Sequence, residues 1–214
     1  MTWQIDKDIA LWINGLVGKN SVLDRLMIVG ANDYFVPVTI ALILLAIWFI
    51  GRDPVQKHDH QMAVICATIA IGSACGFVLA ANHLYRHPHP FEDLPQLLDA
   101  VHKIYYPIRD PAFPSNTSAI TFAAATSIWQ KNRKLGLLML VPAILMPFAK
   151  CYAGVYYFSD VLAGAVLGIL TSYFIYKIAI PVLRPGMNII LAIVRRLCLV
   201  YPEPKVDQPA SKET

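Results

Sequence analysis

Four stretches of this chain stay apolar for about as long as a helix needs to cross a bilayer. Phe35 to Ile50 is almost unbroken, and Met62 to Leu84 has only small polar interruptions. Leu135 to Ala149 leads into Cys151–Tyr157, and Val161 to Ile180 is rich in Gly, Ala and Leu. A hydrocarbon core about 30 Å thick calls for roughly 20 residues per helix. A fifth run, Ser118 to Trp129, is shorter, but extended back through Pro114-Ser115 it would cross most of the core. The expected fold is therefore all-α, a polytopic membrane helical bundle of about five to six spans. Composition agrees, since 57% of the 214 residues are hydrophobic, only 15% are charged, and the mean hydropathy is +0.51. A soluble domain of this length does not need so much apolar surface.

The first 31 residues read differently. Ile5, Ile9, Trp12, Ile13 and Leu16 recur at helical spacing with Asp6, Asp8 and Asn14 between them, the pattern of an amphipathic or half-spanning helix. Acidic residues come early and no cleavage site of small residues follows, so no signal peptide is expected. Residues 32–200 form the expected bundle. The Pro-rich polar tail, 201–214, is expected to be disordered and cytoplasmic. Cys66, Cys75, Cys151 and Cys198 sit in apolar surroundings without metal-ligand spacing, as buried thiols do.

Basic residues orient the bundle. Arg52 and Lys57 follow the first long run, Lys131, Arg133 and Lys134 separate the fifth run from the next, and Arg184, Arg195, Arg196, Lys205 and Lys212 follow the last span. Placing these three segments in the cytoplasm gives a consistent alternation. The net charge of +4 then speaks of topology, not of a nucleic-acid partner. The two remaining connections, Tyr85 to Pro114 and Lys150 to Ser159, fall together on the outer face.

Nearly all the unusual chemistry lies in three stretches at that face. They read NHLYRHPHPFEDL from Asn82, PSNTS from Pro114, and AKCYAGVYYFSDVL from Ala149. In order and spacing they resemble the type 2 phosphatidic acid phosphatase superfamily, nearest to its bacitracin-resistance type of undecaprenyl pyrophosphate phosphatase. The resemblance implies a phosphate site built from an arginine before a proline, the serine of a Pro-Ser-X-His turn, and a second arginine. It also implies an acid histidine in that turn and a nucleophilic histidine oriented by an aspartate four residues later. Guanidinium suits bidentate phosphate contact, and imidazole suits a nucleophile and a proton donor near neutral pH.

On this chain His89 stands at the first arginine position, before Pro90 and Phe91. Asn82 stands where many members carry a lysine. Pro114 and Ser115 match, while Thr117 replaces the acid histidine, Lys150 the second arginine and Tyr156 the nucleophilic histidine; Asp160 is retained. A phenol with a reference pKa of about 10 is a poor nucleophile at pH 7. Threonine is no general acid, a contribution of roughly 10²–10⁴ in rate. Binding survives these replacements better: Lys150 is cationic, Ser115 and Asn116 open a helix whose N–H groups suit an anion, and Arg86 offers a guanidinium three residues before His89.

Each residue also has a plainer reading. Ser115 and Thr117 are good helix caps, Asp160 suits the start of the last span, and Lys150 suits a lysine reaching toward headgroups. Tyr152, Tyr156 and Tyr157 fit an interfacial aromatic belt. His83, His87, His89 and His102 lack metal-site geometry because Pro88 interrupts any helix there, and no cofactor is expected. Three functions stay open: a non-catalytic binder of undecaprenyl (pyro)phosphate or another lipid phosphate, an active lipid phosphatase with Arg86, His87 or His89 in new roles, or a structural membrane subunit with a vestigial site.

Overall fold

The computed structural model describes residues 4–106 and 111–197, and every regular element among them is helical. The tail 201–214 and Cys198 lie outside the described residues. Helix α1 spans Gln4–Asn14, α2 Ser21–Ala31, α3 Phe35–Phe49 and α4 Pro54–Leu84. Two short helices, α5 (Pro90–Asp93) and α6 (Leu98–Ile104), follow, then α7 (Asn116–Trp129), α8 (Arg133–Tyr152), α9 (Phe158–Phe174) and α10 (Ile180–Leu197).

Local chemistry sets the helix starts. Asp53 accepts from Gln56 N at 2.7 Å with Pro54 in the first turn, so α4 begins well before the apolar run at Met62. Asn132 caps α8 by accepting from Lys134 N and Leu135 N. Ser115 caps α7, with its Oγ 3.4 Å from Ser118 N.

Among the described residues, α4, α8 and the segment Phe158–Ile178 are long and apolar enough to cross a membrane singly. Helices α2 and α3 together pass as a further span broken by a 65° bend. The fifth apolar run stays a helix of 14 residues, about 21 Å at 1.5 Å per residue. It is short for a lipid-exposed span, and the reason is visible in its position: α7 is the centre of the bundle, enclosed by α4, α8 and α9. Its neighbours supply the burial that length would otherwise provide.

Small residues let α7 and α9 meet backbone to backbone. A Cβ on Gly164 would stand 2.3 Å from Ser115 O, and one on Gly168 would stand 2.2 Å from Ala119 O. Such close seams give helix pairs in lipid their packing energy. Hydroxyls complete the seam: Ser118 Oγ donates to Val161 O at 2.7 Å, and Ser127 and Ser172 pair at 2.8 Å.

The N-terminal helices pack on this core. Ala10, Ile13, Met27 and Ala31 are buried in one cluster with Ala149 and Tyr152, and Tyr152 OH reaches Asp24 Oδ1 at 2.6 Å. At one end of the bundle three connections bring the segments after α4, before α7 and before α9 together. Ala112 N donates to His87 O at 3.0 Å, His89 Nδ1 meets Val155 O at 2.6 Å, and Ser115 N donates to Asp160 O at 3.0 Å. The basic turn 131–134 joins α7 and α8 at the opposite end.

Candidate functional site

A buried lysine organises the first half of the site. Lys150 lies in the last turn of α8 with its side chain only 4% exposed, and an unpaired ammonium there would be expensive. Its Nζ donates to Asp33 Oδ1 at 2.7 Å, to Thr117 Oγ1 at 3.2 Å and to Tyr105 OH at 3.3 Å. It also lies over the rings of Tyr105, 4.9 Å from the centroid, and Tyr156, at 5.9 Å. Tyr105 and Tyr106 both donate to Asp33 Oδ2. Burial and the Asp33 carboxylate push the Tyr105 phenol up; for Tyr106 the hydrogen bond to Asp33 is the main cause. Both phenols therefore stay protonated donors at neutral pH.

This cluster forms one wall of a cavity of about 480 Å³. Arg86, Asn116, Thr117, Lys150 and Tyr156, all singled out from the sequence, line it together. Asn82 and His83 contribute from the end of α4. The Oδ1 atoms of Asn82 and Asn116 are buried without a hydrogen-bond partner among the described residues.

His89, Ser115 and Asp160 stand behind that wall and are not among the lining residues. His89 is 1% exposed, its ring stacks on Phe91 at 5.1 Å and lies 5.6 Å from Tyr156. With Nδ1 bound to Val155 O, the imidazole pins the segment before α9 to the segment before α5. Ser115 is fully buried as the cap of α7. Asp160 Oδ2 accepts from Tyr157 N at 3.0 Å, the capping role that its position suggests. Its Oδ1 has no hydrogen-bond partner among the described residues, although His87 Nδ1 lies 3.3 Å away. Their alignment is too poor for a hydrogen bond, so the pair counts as an electrostatic contact.

His87 and Asp160 face a second, more apolar cavity of about 760 Å³, whose lining includes Asp6, Phe113 and Ser159. Burial pulls the His87 pKa below the usual imidazole value, against the opposing pull of Asp93 and Asp6. His83, His87 and His89 thus serve three separate places.

Sequence reasoning missed Asp33, Tyr105 and Tyr106. One signal was present for Asp33: an acidic residue two positions before the apolar run at Phe35 needs a cation, and Lys150 ends another such run.

Chemically, the first cavity offers cations, a hydroxyl, a phenol and amides at the end of a helical membrane bundle. The chain belongs to the PAP2 superfamily, whose model matches residues 61–182. It is similar to the undecaprenyl-diphosphatase BcrC of Bacillus subtilis (strain 168), 30% identical over 196 residues, covering 92% of this chain and 95% of the relative. It is also similar to the bacitracin transport permease protein BcrC of Bacillus licheniformis, at 27% identity over 81% of this chain and 80% of the relative. Among solved structures, Aquifex aeolicus LpxE superposes with a TM-score of 0.65 at 22% identity, covering 82% of this chain and 96% of the other. The PAP2 type phosphatidylglycerolphosphate phosphatase of Bacillus subtilis gives 0.53 at 17%, covering 80% and 83%. These two likenesses speak for the fold.

Proposed function

We propose that this membrane protein binds a lipid phosphate, in the manner of undecaprenyl (pyro)phosphate, in the 480 Å³ cavity on the extracytoplasmic face, with little or no hydrolysis. The observation that carries the reading is the convergence of Arg86, Asn116, Thr117, Lys150 and Tyr156 on one cavity with no imidazole at the two positions where the family's pattern places its acid and nucleophile. A threonine hydroxyl and a phenol hold a phosphate oxygen but are a poor acid and a poor nucleophile. The outer-face placement rests on the basic turn 131–134 at the other end of the bundle. Helices α1 and α2 act with the bundle as one body, because they bury Ala10 and Met27 in its core.

A second reading, hydrolysis by a rearranged site, is favoured by one contact, His87 Nδ1 to Asp160 Oδ1 at 3.3 Å. It gives the retained aspartate an imidazole from a different segment. Against it, the second cavity is lined by Asp6 and Asp160 with no Lys or Arg among its described lining residues, a balance that disfavours a phosphate. Phosphate release from a polyprenyl diphosphate by purified protein separates the readings. Turnover at roughly 1 s⁻¹ or more, in the ordinary enzyme range, and lost in His87→Ala, establishes the second. Saturable binding without release establishes the first.

A further inference from the structure

The PAP2 model ends at residue 182, so nearly all of α10 lies beyond the matched region. The helix is 18 residues long, yet it is not among those apolar enough to cross a membrane. Its sequence, IPVLRPGMNIILAIVRRL, sorts apolar from basic residues by register. At about 100° per residue, Val182, Met187, Ile189, Ile190, Leu191 and Ile193 fall on one side of the helix. Arg184, Asn188, Arg195 and Arg196 fall on the other. The apolar side meets two surroundings. Met187 and Leu191 are buried with Met62 and Cys66 of α4, and Trp48 of α3 packs against the same cluster. Val182, Ile189, Ile190 and Ile193 are between 51% and 76% exposed.

The level of that contact in the bundle is set by α4. Its first two turns carry Gln56, Lys57, His58, Asp59, His60 and Gln61, and its apolar run begins at Met62. At 31 residues, about 46 Å, α4 is longer than a hydrocarbon core of about 30 Å, so the polar turns stand in the headgroup region. They stand at the end that carries the basic turn 131–134, since Lys131 Nζ lies 3.5 Å from Asp59 Oδ1. The orientation proposed above places that end in the cytoplasm. Helix α10 therefore docks at the inner edge of the hydrocarbon. An exposed apolar side calls for lipid and a basic side calls for water or anions, and the interface offers both. No acidic residue occurs between Asp160 and Glu203, a stretch that carries Lys177, Arg184, Arg195 and Arg196.

From this placement we infer that α10 is an interfacial helix that binds the anionic headgroups of the cytoplasmic leaflet, with its arginine side toward the headgroups and its isoleucine side toward the acyl chains. The partner is a negatively charged lipid surface, which complements the sign of every charged residue in the helix. The surface lies at the opposite end of the bundle from the 480 Å³ cavity and does not depend on what that cavity takes.

The test follows amide hydrogen exchange of the full chain in nanodiscs, resolved by peptide. Discs of phosphatidylcholine alone are compared with discs in which phosphatidylglycerol makes up about a third of the lipid, as an anionic surface. Each basic residue at such a surface adds roughly a fivefold preference, so the amides of 180–197 should exchange at least about tenfold more slowly in the anionic discs. Those of α8 are the control and should exchange alike in both. The triple variant Arg184→Gln/Arg195→Gln/Arg196→Gln should lose the difference while α8 stays protected. Salt at about 1 M, where the Debye length is about 3 Å, should also remove it. Ile189→Asn/Ile193→Asn should speed exchange of the segment in both kinds of disc. Equal exchange of 180–197 in the two discs overturns the inference, whether the segment is protected in both, as a span would be, or open in both. A difference that survives the triple variant overturns it as well. Phosphatidylglycerol held in the outer cavity would instead slow exchange near Arg86 and Asn116, so neither result bears on the function proposed above.

Discussion

Lys150 Nζ lies 2.7 Å from Asp33 Oδ1 across 117 residues of sequence, and this pair ties the end of α8 to the break between α2 and α3. The carboxylate is the counter-charge of the buried ammonium. Asp33→Asn leaves Lys150 in a nearly closed site without a counter-charge. Removing one partner of a fully buried pair costs about 3–5 kcal/mol. Asp33 is 29% exposed, so a loss nearer about 2 kcal/mol is expected. Chemical denaturation in detergent micelles measures it. The double variant Asp33→Asn/Lys150→Met should regain most of the loss, since the uncompensated charge is then gone.

The seam between α7 and α9 makes a second prediction. Gly168→Ala places a methyl group 2.2 Å from Ala119 O, and backbone on both sides leaves no side chain to swing aside. The helices must separate, with a loss of about 1–3 kcal/mol. Gly72→Ala is the control, because an added Cβ there meets nothing within 4 Å. It should leave stability unchanged or raise it slightly. Equal melting temperatures for the two variants would contradict the close seam.

What the sequence made legible, and what it hid, follows from the range of the interactions involved. The long apolar runs announce α3, α4, α8 and α9 because lipid exposure demands continuity of apolar residues, and caps such as Asp53 and Asn132 are local in sequence. The central α7 was harder to place. Its apolar run is short, and only the packing of Gly164 and Gly168 against it explains why that suffices. The cavity lining at Arg86, Asn116, Thr117, Lys150 and Tyr156 followed motif spacing, so one chain could suggest it. Asp33 and Tyr105 did not, since their link to Lys150 exists only after folding. His89 illustrates the converse. Its motif position suggests ligand contact, but its Nδ1 is spent on Val155 O.

Acid sensitivity is the third expectation. Burial holds the His87 pKa below its usual value of about 6.5, so the folded state favours the neutral ring. The unfolded chain therefore binds this proton at higher pH than the folded one does. The associated stability is complete above about pH 6.5 and declines as pH falls toward the depressed folded value, with a slope of at most about 1.4 kcal/mol per pH unit. Asp6 and Asp93 on neighbouring segments oppose the shift, and Asp160 and His89 also face the ring. Melting temperatures between pH 7.5 and 5 should fall less steeply in His87→Phe than in the unaltered protein. An identical slope in the two proteins would show that His87 does not carry the effect.

Restoring catalysis is the most demanding prediction. The changes His89→Arg, Thr117→His, Lys150→Arg and Tyr156→His return the family's residue types to the matching positions, and Asn116→Asp is added at the variable position of the Pro-Ser-X-His turn. Geometry supports part of this. The Oδ1 of Asp160 has no hydrogen-bond partner among the described residues, so it can accept from an imidazole that reaches it. Two neighbours stand in the way. Asp33 already holds the cation at position 150, and an arginine there would be drawn to the same carboxylate. His87, 3.3 Å from Asp160 Oδ1, competes for the orienting aspartate. The fivefold variant alone is therefore expected to release little phosphate from a polyprenyl diphosphate. Adding Asp33→Asn frees the guanidinium for the ligand, and adding His87→Phe frees Asp160 for the new nucleophile. Activity should appear, or rise at least tenfold, only when both are included. A fivefold variant as active as the sevenfold one would show that Asp33 and His87 do not obstruct the chemistry.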